Sequence, residues 1–253
     1  MPPSIPAALR EIEAALAPLA AAQDAGRVAF LRNYIGTRLD VLAIPVPAQR
    51  KLAKAGFSFS HLEPAAQIAI WDGVWQRGRS LEVLGQALYY TSAIRDGAAL
   101  AAHWPTLRGW VDRVDNWALS DGLSDLYARI LDHDRRLVLP TLQAWNGDPF
   151  PWRRRQSVVA LLNYARGRTN PLPAKTILAQ VKPRLADPDV FVQKGIGWCL
   201  RETGNLYPDA ALAFLDKNLH GLSSIAFASA TEKLAPAIKA RLKAARAAAR
   251  RKR

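Results

Sequence analysis

Cysteine, methionine and histidine are scarce in this 253-residue chain, with one, one and four copies. The lone Cys199 excludes an intramolecular disulfide and any cysteine-rich metal site, and it fits a reducing compartment. His61, His103, His133 and His220 are scattered without ligand spacing, so no metal site and no cofactor are expected. Long apolar runs are missing too. No stretch approaches the roughly 20 residues that cross a bilayer, and no basic leader with a following apolar run opens the chain. A soluble intracellular protein with no membrane attachment is expected. Also lacking are a phosphate-cradling glycine-rich loop, a nucleophile elbow and a zinc-deaminase ligand pattern, which sets aside the enzyme classes that need them.

Acidic residues are outnumbered: 21 Asp plus Glu stand against 35 Lys plus Arg, a formal net charge of +14. Residues 239–253 hold eight basic side chains and no acid, which leaves 27 basic against 21 acidic residues, or +6, on residues 1–238. The body is basic and the end amplifies it. A polyanionic partner follows naturally, because each phosphate neutralised releases counterions. A solubilising surface and a merely solvated tail are the plainer alternatives.

What the chain has in quantity is helix. Apolar residues recur at three- and four-residue spacing, Ala and Leu dominate, and Pro or Gly separates the runs. Helices are expected near 5–22, 25–35, 47–55, 63–77, 80–95, 98–109, 116–131, 134–145, 152–165, 173–185, 189–203, 208–219, 223–233 and 235–250. Asp115 or Asn116 can cap the helix that begins at Trp117, and Asp187-Pro188-Asp189 can open the helix that holds Trp198. Gly204-Asn205 can close the latter. The apolar runs at 41–44 and 57–59 are too short to argue for strands. Many short helices joined by short turns imply stacked antiparallel pairs rather than one bundle. Trp117, Trp152 and Trp198 lie 35 and 46 residues apart, within the loose range of helical-pair repeats. The expectation is an all-α solenoid of HEAT-like pairs over residues 1–238, with a concave face suited to a duplex. Residues 239–253 are expected to be a helix that frays into a basic C-terminal tail, either gripping phosphates or passive.

Two helices carry aromatics and charges on a face that the apolar stripe leaves outside. At about 100° per residue, Leu119, Leu123, Leu126 and Ile130 form a stripe nearly half a turn from Trp117 and Asp121. Likewise Val192, Ile196, Cys199 and Thr203 make one side, with Phe191, Lys194, Trp198 and Arg201 opposite. An indole that meets only water is costly, so two of them beside charges suggest a working surface. Core packing is the commoner fate of tryptophan and is expected for Trp71, Trp75, Trp104 and Trp145. Gly195 and Gly197, in "GIGW", are expected to allow close helix packing.

The segments "NWALSDGL" (116–123), "WRRRQSVVALL" (152–162), "VFVQKGIGWCLRETG" (190–204) and "YIGTRLDVLAIPVPAQRKLAK" (34–54) are similar to those of the AlkD-like, HEAT-repeat DNA glycosylases that remove alkylated purines. The resemblance covers most of the chain. It implies that Trp117 and Asp121 are that family's aromatic-plus-acid pair, Arg155 its backbone-gripping arginine and Trp198 its second indole. By periodicity alone Arg155 is half-buried beside Val159 and Leu162, with Arg153 or Arg154 equally good phosphate contacts. Lys194 and Arg201 are further phosphate contacts from helical spacing. The chain departs from the family pattern at Ile225-Ala226-Phe227, in "SLEVLGQALYY", and in its extended basic end.

The implied chemistry is hydrolysis of the N-glycosidic bond to a cationic N3- or N7-alkylated purine in duplex DNA. A cationic base leaves readily, so the harder task is to stabilise an oxocarbenium-like sugar, which one nearby carboxylate, Asp121, can do. Trp117 and Trp198 would flank the nucleotide, and Arg155 would anchor a phosphate. No lysine is placed as a Schiff-base nucleophile, so a monofunctional glycosylase is expected. The resemblance implies that it does not enclose the base. A monomer in the cytoplasm, associated with the nucleoid, is expected. A non-catalytic protein that binds DNA structure or damage is the alternative, and a HEAT-type protein scaffold a third; a steep salt dependence of DNA binding would separate the third from the others.

Overall fold

The computed structural model describes residues 2–162 and 164–251, and is helical throughout. Among the described residues the only β-type pairing is an isolated bridge between Asp40 and Ser80. The backbone gathers into two compact units, Met1–Leu126 and Tyr127–Arg253.

The first unit contains α1 (Ile5–Ala21), α2 (Ala25–Ile35), α3 (Val46–Ala55), α4 (Pro64–Arg77), α5 (Leu81–Ala93), α6 (Gly97–Ala102), α7 (Trp104–Leu107) and the start of α8 (Trp117–His133). Helix α1 packs on α4, and α5 on both α3 and α4. Ile12 and Leu16 of α1, Val74 and Trp75 of α4, and Leu84 of α5 are fully buried. Trp75 and Trp110 stack with ring centroids 4.7 Å apart, and the Trp75 indole donates to the Trp110 carbonyl at 2.9 Å. That contact satisfies the buried N–H which makes a core indole expensive. Instead of one helix over 98–109, the chain breaks at His103 and resumes as α7 with Pro105 in its first turn, then a 3-10 turn at Arg108–Arg113. A proline has no N–H to continue a helix but suits a new first turn.

The second unit takes the rest of α8, then α9 (Arg135–Trp145), α10 (Pro151–Val159), α11 (Ala174–Val181), α12 (Val190–Leu206), α13 (Pro208–Asn218), α14 (Ser224–Ala230) and α15 (Pro236–Arg251). Helix α12 is its centre, packed on α10, α11, α13 and α14. Both glycines of "GIGW" serve close approach. A Cβ on Gly195 would come within 2.9 Å of Val159 on α10, and one on Gly197 within 2.7 Å of the Ala226 carbonyl on α14. Two boundaries in this unit differ from expectation. Helix α10 ends at Val159 rather than near 165. Gly204 and Asn205 do not close α12, which runs to Leu206 and stops where Pro208 begins α13. The helix expected at 235–250 is α15, with Leu242 fully buried against the unit; Lys252 and Arg253 lie outside the described residues.

Candidate functional site

Helix α8 starts where it does because Asn116, fully buried, accepts the Leu119 amide on its Oδ1 at 3.0 Å. Asp115 does something else. Its carboxylate accepts the Thr37 hydroxyl and the Arg38 amide, both at 2.7 Å. This ties the turn after α2 to the start of α8. Gly36 makes the turn possible: its φ of 70° is left-handed, which a side chain resists. The last turn of α2 is thereby set on Trp117. The Trp117 Nε1 donates to the Tyr34 carbonyl at 3.3 Å, and the two rings meet edge to face at 5.5 Å and 82°. Phe30, one turn earlier, stacks on Tyr34 at 6.0 Å and 4°. Phe30 and Tyr34 are 66% and 62% exposed, so an aromatic ladder of three rings stands at the surface. Asp121 is half-buried one helical turn beyond Trp117. The stripe of Leu119, Leu123, Leu126 and Ile130 is buried.

In the second unit Asp189 caps α12 through the Phe191 and Val192 amides. Val192, Ile196, Cys199 and Thr203 are buried, Lys194 is exposed, and Phe191, Trp198 and Arg201 are half-buried. Burial pushes the Cys199 thiol up to about 12, which leaves it inert. Trp198 has an edge-on partner of its own. Tyr164, 63% exposed, meets its ring at 5.6 Å and 78°. Tyr164 is left-handed, with φ 49° and ψ 66°, a conformation that a bulky side chain adopts only when its surroundings impose it. Glu202 contributes to that: its buried carboxylate accepts the next amide, Ala165 N–H, at 3.1 Å. The Trp198 Nε1 is buried with no acceptor among the described residues.

The four expected arginine and lysine contacts divide. Lys194 reaches outward, its ammonium 5.1 Å from the Phe191 ring centre. Arg155 is only 3% exposed and donates to the Phe191 carbonyl at 2.6 Å, a tie between α10 and α12. Arg154 grips Asp187 with two bonds of 2.7 and 3.1 Å and donates to the carbonyls of Asp148 and Pro149. Arg201 lies between Glu202 and Glu232. For these three the geometry shows internal ties where phosphate contacts were expected. Their distant partners, Asp187, Phe191 and Glu232, lie 31 to 36 residues away, beyond the reach of helical spacing. Sequence reasoning also missed Tyr34 and Tyr164, although Tyr34 opens one of the resembling segments. Six of the eight tryptophans are buried, and Trp117 and Trp198 are the two that are not. A cleft of about 350 Å³ lined by Asp148, Arg154, Arg184 and Asp187 is bordered by those ion pairs and holds neither indole.

A family model described as DNA alkylation repair enzyme matches residues 15–234. Two solved structures are similar. A predicted DNA alkylation repair enzyme from Enterococcus faecalis has a TM-score of 0.65 at 18% identity, covering 85% of this chain and 97% of that one. AlkD2 from Streptococcus mutans has a TM-score of 0.57 at 14% identity, covering 91% and 99%. No curated protein gives a significant match. At these identities the structures show the fold alone, and with it the all-α solenoid class expected from the sequence.

Proposed function

The chain belongs to the DNA alkylation repair enzyme family, and we propose that it acts as a monofunctional glycosylase, hydrolysing the N-glycosidic bond of cationic N3- or N7-alkylated purines in duplex DNA. A role in the repair of alkylation damage comes with the family; the reaction and the residues are this proposal. One observation carries it. The two tryptophans that escape burial each bear an exposed tyrosine edge-on, and a carboxylate stands one helical turn from the first.

The chemistry asks little of the protein. As the bond from C1′ to the base nitrogen breaks, its electron pair goes to the base and cancels the positive charge, so no general acid is needed. Positive charge moves to the sugar, where the Asp121 carboxylate stabilises it. Water adds to C1′ and gives up a proton, leaving an abasic site and a neutral free base. Ring faces of Trp117 and Trp198 hold sugar and backbone, with Tyr34 and Tyr164 setting the planes of the indoles. Lys194, exposed on α12, is the phosphate contact in this reading. With no enclosure of the base, a bulky cationic N3-adduct is expected to be excised as well as the methyl adduct.

The test is release of free base from methylated duplex DNA by the wild type and by Asp121→Asn, with DNA binding measured beside it. Loss of one such electrostatic group is expected to slow release by about 10²–10³-fold while binding is kept. Tight binding without release from either protein would overturn the glycosylase reading and favour a damage-binding one.

A further inference from the structure

We infer that α15 is a second, sequence-independent DNA contact, a docked basic helix whose Lys239 and Lys243 bind phosphates of the duplex. The helix lies beyond residues 15–234, the stretch matched by the family model. The inference rests on the proposal that the substrate is duplex DNA.

Three contacts turn the end of the chain into a fixed element. Leu242 is fully buried. Arg246 is nearly so, with its guanidinium 4.7 Å from the Phe227 ring centre and its Nη2 donating to the Leu222 carbonyl at 2.6 Å. Arg241 holds Asp216 of α13 through paired bonds of 2.8 and 3.1 Å. Two of the arginines in this basic stretch are therefore used to attach it. Lys239 and Lys243 are not. Both are exposed, neither makes an ion pair among the described residues, and α15 contains no acid to neutralise them. They stand four residues apart, so their Cα atoms are about one helical turn, roughly 5.4 Å, apart on one side of the helix. Ordering them in advance removes much of the entropy that a disordered arm would lose on binding.

Besides Arg241, which is paired with Asp216, the exposed positions between and after the lysines are Ala240, Ala244, Ala245, Ala247 and Ala248. An interfacial membrane helix needs a large apolar face to enter lipid, and here the one leucine is turned inward. A surface of cations and methyl groups instead suits the phosphate backbone, which is read by charge.

The experiment measures affinity of the full chain for an undamaged fluorescent duplex between 50 and 300 mM salt, for the wild type, Lys239→Gln/Lys243→Gln and Lys194→Gln. The slope of log affinity against log salt is expected to fall by about 1.8 in the double variant, about 0.9 for each lost phosphate contact. Its melting temperature should match the wild type, since both lysines are exposed and neither packs against the fold. Wild-type base release with an unchanged salt slope in the double variant would overturn this inference and leave the glycosylase reading standing. No duplex binding by the wild type would overturn both. Binding of the wild type to vesicles with 30% phosphatidylserine, lost in the double variant while the DNA slope stays put, would assign α15 to membranes instead.

Discussion

Tyr34 and Tyr164 hold the two indoles by different means, and that difference predicts how each responds to substitution. Tyr34 offers its carbonyl to Trp117 as well as its ring, so the backbone bond survives truncation of the side chain. Tyr164 offers only its ring edge to Trp198, from a left-handed backbone. Removing an aromatic that contacts nucleic acid costs about 1–3 kcal/mol, roughly 5- to 150-fold in affinity. Tyr164→Ala is therefore expected to lower kcat/KM for lesion DNA within that range, and Tyr34→Ala by less. The phenylalanine variants, which keep the ring, should stay near wild type. Steady-state kinetics on a single-lesion duplex checks this; equal loss in alanine and phenylalanine variants would shift the role from the rings to the hydroxyls.

Between elements, Glu82 is the most exacting polar contact of the first unit. It sits buried in the first turn of α5 and accepts the Leu42 amide at 3.0 Å, which fixes the chain ahead of α3. Burial raises its pKa, and backbone hydrogen bonds from Leu42 and its neighbours only partly offset this. A carboxyl with a raised folded-state pKa contributes fully at pH below the unfolded value and loses that contribution as pH climbs through the folded one. Glu82→Gln stays neutral throughout. The melting temperature of the variant relative to the wild type is thus expected to rise between pH 4 and pH 8. A difference that does not move with pH would mean that ionised Glu82 is tolerated without penalty. At this same scale most helix positions were legible, because period and punctuation are local. Of the exceptions, one was set by packing and one by a proline. Helix α12 continues through Gly204 because tertiary contacts outweigh a loss of about 1 kcal/mol in helix propensity. Helix 98–109 breaks because Pro105 suits a first turn better than an interior.

For the molecule as a whole, the single thiol is a probe of opening. Cys199 is buried on the central helix of the second unit with its pKa pushed up to about 12. Labelling by a thiol reagent at pH 8 is expected to be negligible in the native state and to appear only as this unit unfolds, tracking loss of helical signal in denaturant. Rapid labelling before that loss would show a local opening of α12. Charge also acts at this scale: the excess of +14 favours any polyanion, and the family to which the chain belongs makes DNA the relevant one.

From the sequence alone came the helical class, the buried stripes of α8 and α12, and the placement of Trp117 and Trp198 off those stripes. All three depend on spacing within one helix, and helical geometry converts spacing directly into a face. Which tyrosine meets which indole, which arginines are consumed by Asp187, Glu232 or the Phe191 carbonyl, and whether the basic end is a tail or a docked helix were decided by tertiary structure. Those pairings join residues 19 to 83 positions apart, from Phe227 with Arg246 at 19 to Tyr34 with Trp117 at 83. No local period carries such information. It arises only when the chain has packed and a carboxylate such as Asp115 has bound one turn to another.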